Sequence, residues 1–389
     1  MSKSIPLSVP SFQGNELKYV SEAISTEWVS TGGKFVDQFE QAVAHYLGSS
    51  DAVACQSGTA GLHISLILAG VGAQDEVIVP TLTFIAAVNP VKYVGAEPVF
   101  MDCDDHLCLD ADKLERFLKQ ECHFKQGILT NKHSQKTIKA LIYVHVFGNS
   151  GNFEKVYELC QIYKIKLIED ATESLGTYFT SGKFKGKFTG TIGDFGVYSF
   201  NGNKIITTGG GGMLVCNDPM QAKRAKYLTT QAKDDEVRFI HHEIGYNYRM
   251  TNLQAALGLA QLENLEKYIR VKQDNYKNYR QAFLNTPYQL LPFNSNIRPN
   301  YWFYSLVVDP EKIGITNLQL MQKLQERNIQ TRPIWYLNHL QKPYQCNQVY
   351  NIEKALYYFE RILSLPCSAN LLLEDVQRIM SAILGENDG

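Results

Sequence analysis

The stretch Ala140-Leu141-Ile142-Tyr143-Val144-His145-Val146 predicts a buried strand, because it is an almost unbroken apolar run. A helical pattern over residues 153–163 follows it, and residues 165–169 predict the next strand. Two parallel strands need a long crossover between them, which is usually a helix. This segment therefore predicts a βαβ unit and an α/β protein.

The same alternation extends to both sides of this unit. Five more short strands are predicted, at residues 52–55, 77–80, 98–101, 195–200 and 212–216. Helices are predicted to begin at Gly58 and Thr83, and the last two strands are expected to include an antiparallel member. We therefore expect a mostly parallel mixed sheet sandwiched by helices.

The carboxyl-terminal part of the chain has a different pattern. A helix beginning near Asn252 ends the alternating region at about residues 264–268. The remainder combines an aromatic strand at 301–308 with helices at 318–327 and 373–384. We predict a large domain over residues 1–265 and a smaller α+β domain over residues 266–389.

Composition excludes several classes of function. The chain has 389 residues and a formal net charge of -1, which argues against a nucleic-acid-binding protein. It lacks an apolar run of about 18 residues, and its amino terminus has no signal-peptide pattern, so we expect a cytoplasmic protein without a membrane segment. The eight cysteines form no Cys-x-x-Cys motif, and the adjacent His241 and His242 lack a helical ligand spacing; no metal site is predicted.

Two residues carry the chemistry that the sequence indicates. Lys204 follows Ser199-Phe200-Asn201-Gly202-Asn203 and precedes a run of four glycines, in a segment with few other charges. Asp170 ends a predicted strand, so its carboxylate lies at the edge of the sheet where α/β folds bind ligands. A lysine that can form an imine and an acid that can pair with a pyridine nitrogen are what pyridoxal phosphate requires.

Two further signals have an ordinary structural alternative. Ser57-Gly58-Thr59-Ala60 lies between a strand and a helix and could bind a phosphate, although serine and threonine also cap helices without binding anything. Phe84 could stack on a flat cofactor, or it could belong to the core.

Taken together and in order, these motifs resemble the sugar-nucleotide aminotransferases of the DegT family, which have the fold type I architecture of pyridoxal-phosphate enzymes. Residues 84–89, 169–176 and 245–256 contribute to the resemblance, which covers nearly the whole chain. The Asn-Gly-Asn sequence before Lys204 and residues 240–247 look like the branch that makes legionaminic-acid-type or bacillosamine-type sugars.

The resemblance implies that pyridoxal 5′-phosphate is the cofactor, held covalently by Lys204 and paired through its ring nitrogen with Asp170. Phe84 is expected to stack on the ring, while backbone and hydroxyl groups bind the phosphate. The implied cofactor contacts are Gly58, Thr59, Ala60, Phe84, Asp170, Glu173, Ser199, Lys204 and Asn247.

The resemblance also implies a homodimer with composite active sites. Asn247 is expected to reach the cofactor phosphate of the partner subunit, and Arg249 to neutralise the substrate diphosphate across the interface. Four residues are predicted to contact the nucleotide sugar, with aromatic core packing as the alternative for their segments: Ser30, Thr31, Trp335 and His339.

At two positions the chain departs from the commoner family pattern. Glu173 stands where many members carry glutamine near the phenolic oxygen of the cofactor, so this carboxyl group is either protonated or repels that oxygen. Asn201 replaces the histidine of the Ser-Phe-His motif, which we interpret as a difference between substrate branches.

The expected reaction is a two-stage transamination. L-glutamate loads the amino group and leaves as 2-oxoglutarate, and the amine then passes to C4 of a nucleotide-linked 2-acetamido-4-keto-2,6-dideoxyhexose, expected to be a UDP sugar. The resulting 4-amino sugar would serve surface glycan or nonulosonic acid biosynthesis. The alternatives are a GDP-perosamine-type enzyme, amination at C3, or a non-catalytic regulator with this fold. Related dehydratases carry histidine at the position of Lys204, which argues against dehydration.

Overall fold

The computed structural model describes residues 3–385. Its helices are α1 (Glu16–Ser25), α2 (Lys34–Leu47), α3 (Gly58–Leu68), α4 (Asn89–Tyr93), α5 (Ala111–Gln120), α6 (Phe153–Tyr163), α7 (Pro219–Thr229), α8 (Asn252–Leu262), α9 (Leu265–Ala282), α10 (Pro310–Ile313), α11 (Asn317–Glu326), α12 (Lys354–Phe359) and α13 (Leu373–Leu384). Its strands are β1 (Asp51–Cys55), β2 (Asp75–Pro80), β3 (Glu97–Met101), β4 (Cys122–Lys125), β5 (Ile128–Asn131), β6 (Thr137–Val144), β7 (Lys166–Asp170), β8 (Tyr178–Phe179), β9 (Phe195–Ser199), β10 (Gly212–Cys216), β11 (Gln289–Leu290), β12 (Ile297–Arg298), β13 (Tyr304–Val307), β14 (Arg332–Pro333), β15 (Val349–Tyr350) and β16 (Ile362–Leu365).

The large sheet is mostly parallel, as predicted. Its strand order is β1-β10-β9-β7-β6-β2-β3-β15, and the β4–β5 hairpin joins it through β6. Within the eight-strand order only β10 runs opposite to its neighbours, which confirms the expected antiparallel member. The central strands β2, β7 and β9 are almost wholly buried, because helices cover both faces of the sheet.

The pairing registers bring several chain ends to one edge of this sheet. Gly212 pairs with both Cys55 and Ser199, while Asp170 pairs with Val197 on one side and Val144 on the other. The carboxyl ends of β1, β6, β7 and β9 therefore lie beside the beginning of β10. This edge is where the candidate site forms.

Some local predictions were wrong, and each has a physical reason. The helix predicted from Thr83 is replaced by a 3₁₀ turn at Ile85–Ala87 and the short helix α4, because Pro90 cannot continue a longer helix. The aromatic strand begins at Tyr304 and not at residue 301, since Tyr301 has φ 56° and interrupts an extended backbone. Helices α5 and α7, capped by Asp110 and Asp218, were missed.

A second sheet lies in the carboxyl-terminal part of the chain. It is antiparallel, with strand order β11-β13-β16-β14, and α9 and α13 pack against each other in the same part of the chain. Strand β15 comes from this part of the sequence, yet it pairs with β3 at the edge of the large sheet. The division at residues 265/266 stays a prediction.

Within residues 3–385, no helix is both long and apolar enough to cross a membrane. The same residues contain no cluster of three or more histidine, cysteine, aspartate or glutamate side chains with the arrangement of a metal site. Seven of the eight cysteine side chains are buried, and Cys346 is exposed.

Candidate active site

A cavity of about 370 Å³ opens at the edge of the large sheet where β1, β7 and β9 end. It lies where α/β folds commonly bind ligands. The predicted site residues that line it are Gly58, Thr59, Phe84, Asp170, Glu173, Ser199, Lys204 and Trp335. Residues separated by more than 270 positions in the sequence are therefore brought to one cavity.

One end of the cavity is the amino terminus of α3. The Ser57 hydroxyl accepts a hydrogen bond from the Ala60 N–H at 3.1 Å, which caps the helix. Ala60 is buried and does not line the cavity, whereas Gly58 and Thr59 do. Their N–H groups find no acceptor among residues 3–385, and the helix dipole favours a negative charge there. This end of the cavity suits a phosphate group.

Close backbone packing holds that helix terminus in place. A Cβ atom on Gly212 would lie 2.5 Å from the carbonyl carbon of Ser57, so β10 can approach the turn only because it begins with glycine. A Cβ on Gly58 would lie 2.8 Å from Cγ2 of Thr172 and 3.1 Å from Cβ of Ser199. The glycines are therefore required by close approach, and the Ser199 hydroxyl lies beside the helix terminus.

Asp170 forms the floor of the cavity at the end of β7. Its residue is 3% exposed, and its Oδ1 accepts a hydrogen bond from the Thr172 N–H at 3.1 Å. Burial raises the pKa of this carboxyl group, while the bonds from Thr172 and the charge of Lys204 oppose that shift. A buried carboxylate of this kind is stabilised by a cationic partner, such as a protonated ring nitrogen.

Lys204 projects into the cavity from the loop between β9 and β10. Its side chain is 13% exposed, and its Nζ lies 3.7 Å from Oε1 of Glu173. Burial lowers the pKa of this amine, while the charges of Glu173 and Asp170 oppose the shift. The lowered pKa increases the fraction of neutral amine, which is the nucleophilic form.

Glu173 is buried between Lys204 and the backbone of Phe147. Its Oε2 accepts a hydrogen bond from the Phe147 N–H at 2.8 Å, and Phe147 has a left-handed φ of 55°. Burial raises the pKa of Glu173 to about 7, although Lys204 and the Phe147 N–H both lower it. This carboxyl group can therefore gain or lose a proton near neutral pH.

Trp302, Phe303 and Trp335 also line the cavity, and Phe147 packs against all three; we call these four rings the aromatic wall. Its ring centroids lie 4.7 Å apart for Phe147 and Trp335, and 4.2 Å apart for Trp302 and Phe303. Sequence reasoning missed three of these residues. The sequence does contain a usable signal, which is the run of four aromatic residues at 301–304. Neighbouring side chains of a strand point to opposite faces, so these rings cannot all belong to the same side of a sheet.

Phe84 lies on the cavity surface and is 54% exposed. An exposed ring on a cavity wall does not fit the alternative that Phe84 belongs to the core. It fits the interpretation that this ring stacks on a flat ligand.

Five other predicted site residues do not line the cavity of this chain. Ser30 and Thr31 lie in the segment between α1 and α2, where the Ser30 carbonyl accepts the Asn252 N–H. His339 is bound through Nδ1 to the Thr81 hydroxyl at 2.6 Å. Asn247 is exposed, and Arg249 is partly exposed and donates from Nη2 to Gln231 Oε1 at 3.2 Å.

The residues present fit pyridoxal 5′-phosphate. The helix terminus at Gly58 and Thr59 can receive a phosphate, Asp170 can pair with a ring nitrogen, and Lys204 can bond covalently to an aldehyde. The cavity volume of about 370 Å³ lies in the range of small-molecule sites.

This chain is similar to known aminotransferases both in sequence and in structure. Residues 10–384 match the DegT/DnrJ/EryC1/StrS aminotransferase family. The chain is 36% identical to EpsN of Bacillus subtilis strain 168, over 99% of this chain and 96% of EpsN. It is 34% identical to the GDP-perosamine synthase of Caulobacter vibrioides, over 97% of each chain. Among solved structures, the aminotransferase TlmJ from Streptoalloteichus hindustanus superposes with a TM-score of 0.87 at 26% identity, covering 98% of both chains.

Proposed function

The chain belongs to the DegT/DnrJ/EryC1/StrS aminotransferase family and is a pyridoxal-phosphate-dependent sugar aminotransferase, and from this premise we propose that it aminates C4 of a nucleotide-linked 4-keto-6-deoxyhexose. The observation that carries the proposal is the position of the Lys204 amine in a cavity with Asp170 at its floor and a helix amino terminus at its end. L-glutamate is the proposed amino donor, and it leaves as 2-oxoglutarate.

Each residue of the cavity has a proposed task. When bound, pyridoxal 5′-phosphate supplies the carbonyl carbon that takes up the amino group and a ring that withdraws electrons. Lys204 binds this group covalently and, once displaced, moves a proton between the donor Cα or the sugar C4 and the cofactor C4′. Asp170 holds the proton on the ring nitrogen.

The remaining residues that contact the cofactor hold it in place and orient it. The N–H groups of Gly58 and Thr59 and the Ser199 hydroxyl bind the phosphate, and Phe84 covers one face of the ring. Glu173 exchanges a proton near neutral pH, which its pKa of about 7 permits, and so accommodates either charge state of the neighbouring amine.

The substrate that we propose in detail is a UDP-linked 2-acetamido-4-keto-2,6-dideoxyhexose. Support comes from the resemblance of residues 201–203 and 240–247 to the branch that makes legionaminic-acid-type or bacillosamine-type sugars. The 4-amino product would serve surface glycan or nonulosonic acid biosynthesis. Trp335 offers a ring against which the sugar nucleotide can pack.

A second candidate is a GDP-linked 4-keto-6-deoxyhexose without the acetamido group. It is favoured by the similarity to GDP-perosamine synthases, which reaches 34% identity for the Caulobacter vibrioides enzyme and 35% for that of Escherichia coli O157:H7. Both candidates place the ketone at C4, so they differ in the nucleotide and in the group at C2.

A panel of UDP- and GDP-linked 4-keto-6-deoxy sugars, each with L-glutamate, separates the candidates. We expect the UDP 2-acetamido substrate to give a 4-amino sugar with matching release of 2-oxoglutarate. Faster turnover of the GDP sugar would establish the second candidate. An enzyme that binds the cofactor yet aminates neither ketone would contradict both.

We also propose that the active site is completed by a second copy of the chain. Asn247 and Arg249 lie outside the cavity of their own chain, on the loop before α8, where they remain available to another molecule. In a two-fold dimer each protomer donates and receives such residues. Mixing a variant with Asn247→Asp and Arg249→Ala with a Lys204→Ala variant should restore activity, up to about a quarter of wild type if subunits exchange statistically. Exchanged subunits without any recovery would rule out this arrangement.

A further inference from the structure

Trp302 contacts the amine of Lys204 directly. The Nζ of Lys204 lies 4.1 Å from the centroid of the Trp302 ring. On another side, the Glu173 carboxylate lies 3.7 Å from the same nitrogen. Trp302 is 2% exposed, so water competes little for this contact. The unbonded amine therefore rests between an indole face and a carboxylate.

The edge of the same ring holds the loop that carries the lysine. The indole Nε1–H of Trp302 donates a hydrogen bond to the Asn203 carbonyl at 2.8 Å, and Asn203 directly precedes Lys204. One side chain thus contacts both the end of the Lys204 side chain and the backbone from which it projects. The contact to the Lys204 amine and the hydrogen bond to the Asn203 carbonyl together restrict the conformations of Lys204 more than either contact alone.

Asn300 fixes Trp302 relative to Glu173. The Oδ1 of Asn300 accepts the Trp302 N–H at 3.0 Å, and its Nδ2 donates to the Glu173 carbonyl at 2.9 Å. Lys272, a buried residue, donates from Nζ to the Trp302 carbonyl at 3.3 Å. The two groups that flank the Lys204 amine are therefore joined by a bridge of buried hydrogen bonds.

We propose that Trp302 is a positioning residue, whose indole face holds the Lys204 amine whenever it is not bonded to the cofactor and binds it most strongly once it has accepted a proton. This inference rests on the role of Lys204 in the proposed function. That role requires the bond to Lys204 to be broken and re-formed in every turnover. The released amine must then stay close to the reacting atoms, although its four-carbon side chain has several rotatable bonds.

The chemistry of the contact explains why an indole is suitable. A ring face attracts an ammonium group more than a neutral amine, and tryptophan does so most strongly among the aromatic residues. The contact therefore favours the protonated state, which the amine reaches when it accepts a proton from the substrate. It counteracts the effect of burial, which lowers the pKa of Lys204. The charged groups facing this amine are Glu173 and Asp170.

Three variants separate the contributions of the ring. Trp302→Leu removes the ring and its N–H, whereas Trp302→Phe keeps an aromatic face but loses the N–H. Phe303→Leu is the matched control, because it opens the aromatic wall 4.2 Å from Trp302 without removing the face over Lys204. It reports how much of any change comes from water entering the wall.

The measurement is the titration of the Lys204 amine in enzyme loaded with pyridoxamine 5′-phosphate, which leaves this amine unbonded. Trace acetic anhydride is applied over a range of pH, and acetylation of Lys204 is measured by peptide mass spectrometry relative to the exposed Lys277. We expect the midpoint to fall by about one pH unit in Trp302→Leu and by less in Trp302→Phe. In Phe303→Leu it should not fall. An unchanged or raised midpoint in Trp302→Leu would overturn the proposal.

Hydrogen exchange tests the second contact. Amides of residues 200–208 should exchange faster in both Trp302 variants than in wild type, and Phe303→Leu should resemble wild type. Equal exchange in Trp302→Phe and wild type would show that the bond to Asn203 does not hold the loop.

Borohydride reduction of the cofactor-loaded enzyme tests the role of Lys204 separately from the role of Trp302. If the reduced adduct maps to Lys204 but the Trp302 variants leave its titration unchanged, only the role of Trp302 fails. An adduct on another lysine would contradict the proposed function itself.

Discussion

Lys204 lies between two regions that are built in different ways. The sheet-edge region (Gly58, Thr59, Asp170 and Ser199) consists of strand ends and a helix terminus, positioned by the register of the large sheet. The aromatic wall consists of side chains from segments far apart in the sequence, held by ring contacts and by Asn300. The first region offers binding groups that any fold of this kind can form, while the second shapes the space around them.

This difference predicts a functional division. Changes at the sheet edge should affect both halves of the reaction, because both use the same cofactor. Within the aromatic wall, Trp302 contacts the Lys204 amine and so serves both halves, whereas changes at Trp335 should affect mainly the half that involves the larger substrate. The following experiments test that division, beginning with the largest expected effect.

Replacing Lys204, where the two regions meet, should have the largest effect. Lys204→Ala should reduce turnover by several orders of magnitude, since no other lysine of residues 3–385 lines the cavity, and Lys204→Arg should be equally inactive. Lys183→Ala and Lys187→Ala serve as controls, because these lysines lie outside the cavity. The measurement is steady-state turnover together with circular dichroism. Substantial activity in Lys204→Ala would remove the basis of the proposed function.

Glu173 lies beside Lys204, where the two regions meet, and its protonation should make the free energy of unfolding depend on pH. Its pKa is raised from 4.5 to about 7, so the folded protein binds a proton that the unfolded chain has lost between these values. The stabilisation is fully present below about pH 4.5 and is lost as the pH rises through 7. Its upper limit is about 3 kcal/mol.

Urea unfolding of wild type and Glu173→Gln between pH 4.5 and 8 measures this contribution. Wild type should lose free energy of unfolding relative to the variant as the pH rises, whereas the exposed Glu326→Gln should show no such trend. A wild-type free energy of unfolding that stays level or rises relative to the variant over this range would mean that Glu173 is ionised in the folded protein well below pH 7.

Asp170→Asn tests the sheet-edge region alone. A charge-assisted hydrogen bond contributes roughly 1.5–3 kcal/mol, so both half-reactions should slow by about ten- to a hundredfold. Single-turnover absorbance with L-glutamate, and separately with the keto sugar, measures the two halves. A normal rate with L-glutamate would mean that another group holds the ring nitrogen.

The glycine packing at the helix terminus provides a test that needs no substrate. Gly212→Ala places a Cβ 2.5 Å from the Ser57 carbonyl carbon, whereas Gly202→Ala meets no atom within 4 Å. Gly212→Ala should lower the free energy of unfolding by about 1–3 kcal/mol and weaken cofactor binding. Cofactor binding to the two variants is measured by fluorescence titration with pyridoxal 5′-phosphate, and their free energies of unfolding by urea. Equal behaviour of the two variants would show that β10 and α3 can separate without cost.

Trp335→Leu should have the smallest effect and the most selective one. Loss of an aromatic contact of about 1 kcal/mol should slow the sugar half-reaction by up to about tenfold and leave the glutamate half unchanged. Tyr336→Leu is the matched control, since this exposed neighbour packs on Phe359 and lies outside the cavity. Equal slowing of both halves by Trp335→Leu would break the functional division between the two regions.

The same two regions differ in how far the sequence predicts them. The strand before Gly58, the strand ending at Asp170 and the glycines before β10 follow from local patterns, because each depends on a few neighbouring residues. The aromatic wall depends on the left-handed backbone of Phe147 and Tyr301 and on contacts across the chain. The left-handed conformations and the contacts across the chain have no local signal, and the run of aromatic residues 301–304 does not by itself show which rings face the cavity.

Predictions of substrate contacts were the least informative. Trp335 lines the cavity, but Ser30, Thr31 and His339 do not, because loop residues are placed by tertiary packing and not by their own pattern. His339 is instead held against Thr81. The Asn247 and Arg249 assignments need a second copy of the chain and stay predictions.

The late position of strand β15 in the sequence affects folding during synthesis on the ribosome. The strand covers the outer side of β3 with residues 349–350, so this edge stays open until synthesis has passed residue 350. An open strand edge is a template for pairing with other chains. The nearby Asp102 carboxylate accepts N–H groups from Glu353, Lys354 and Ala355, which fastens the late segment once it arrives. Nascent chains that end before residue 349 should therefore depend on chaperones, and genes with a stop codon shortly before codon 349 should produce aggregates.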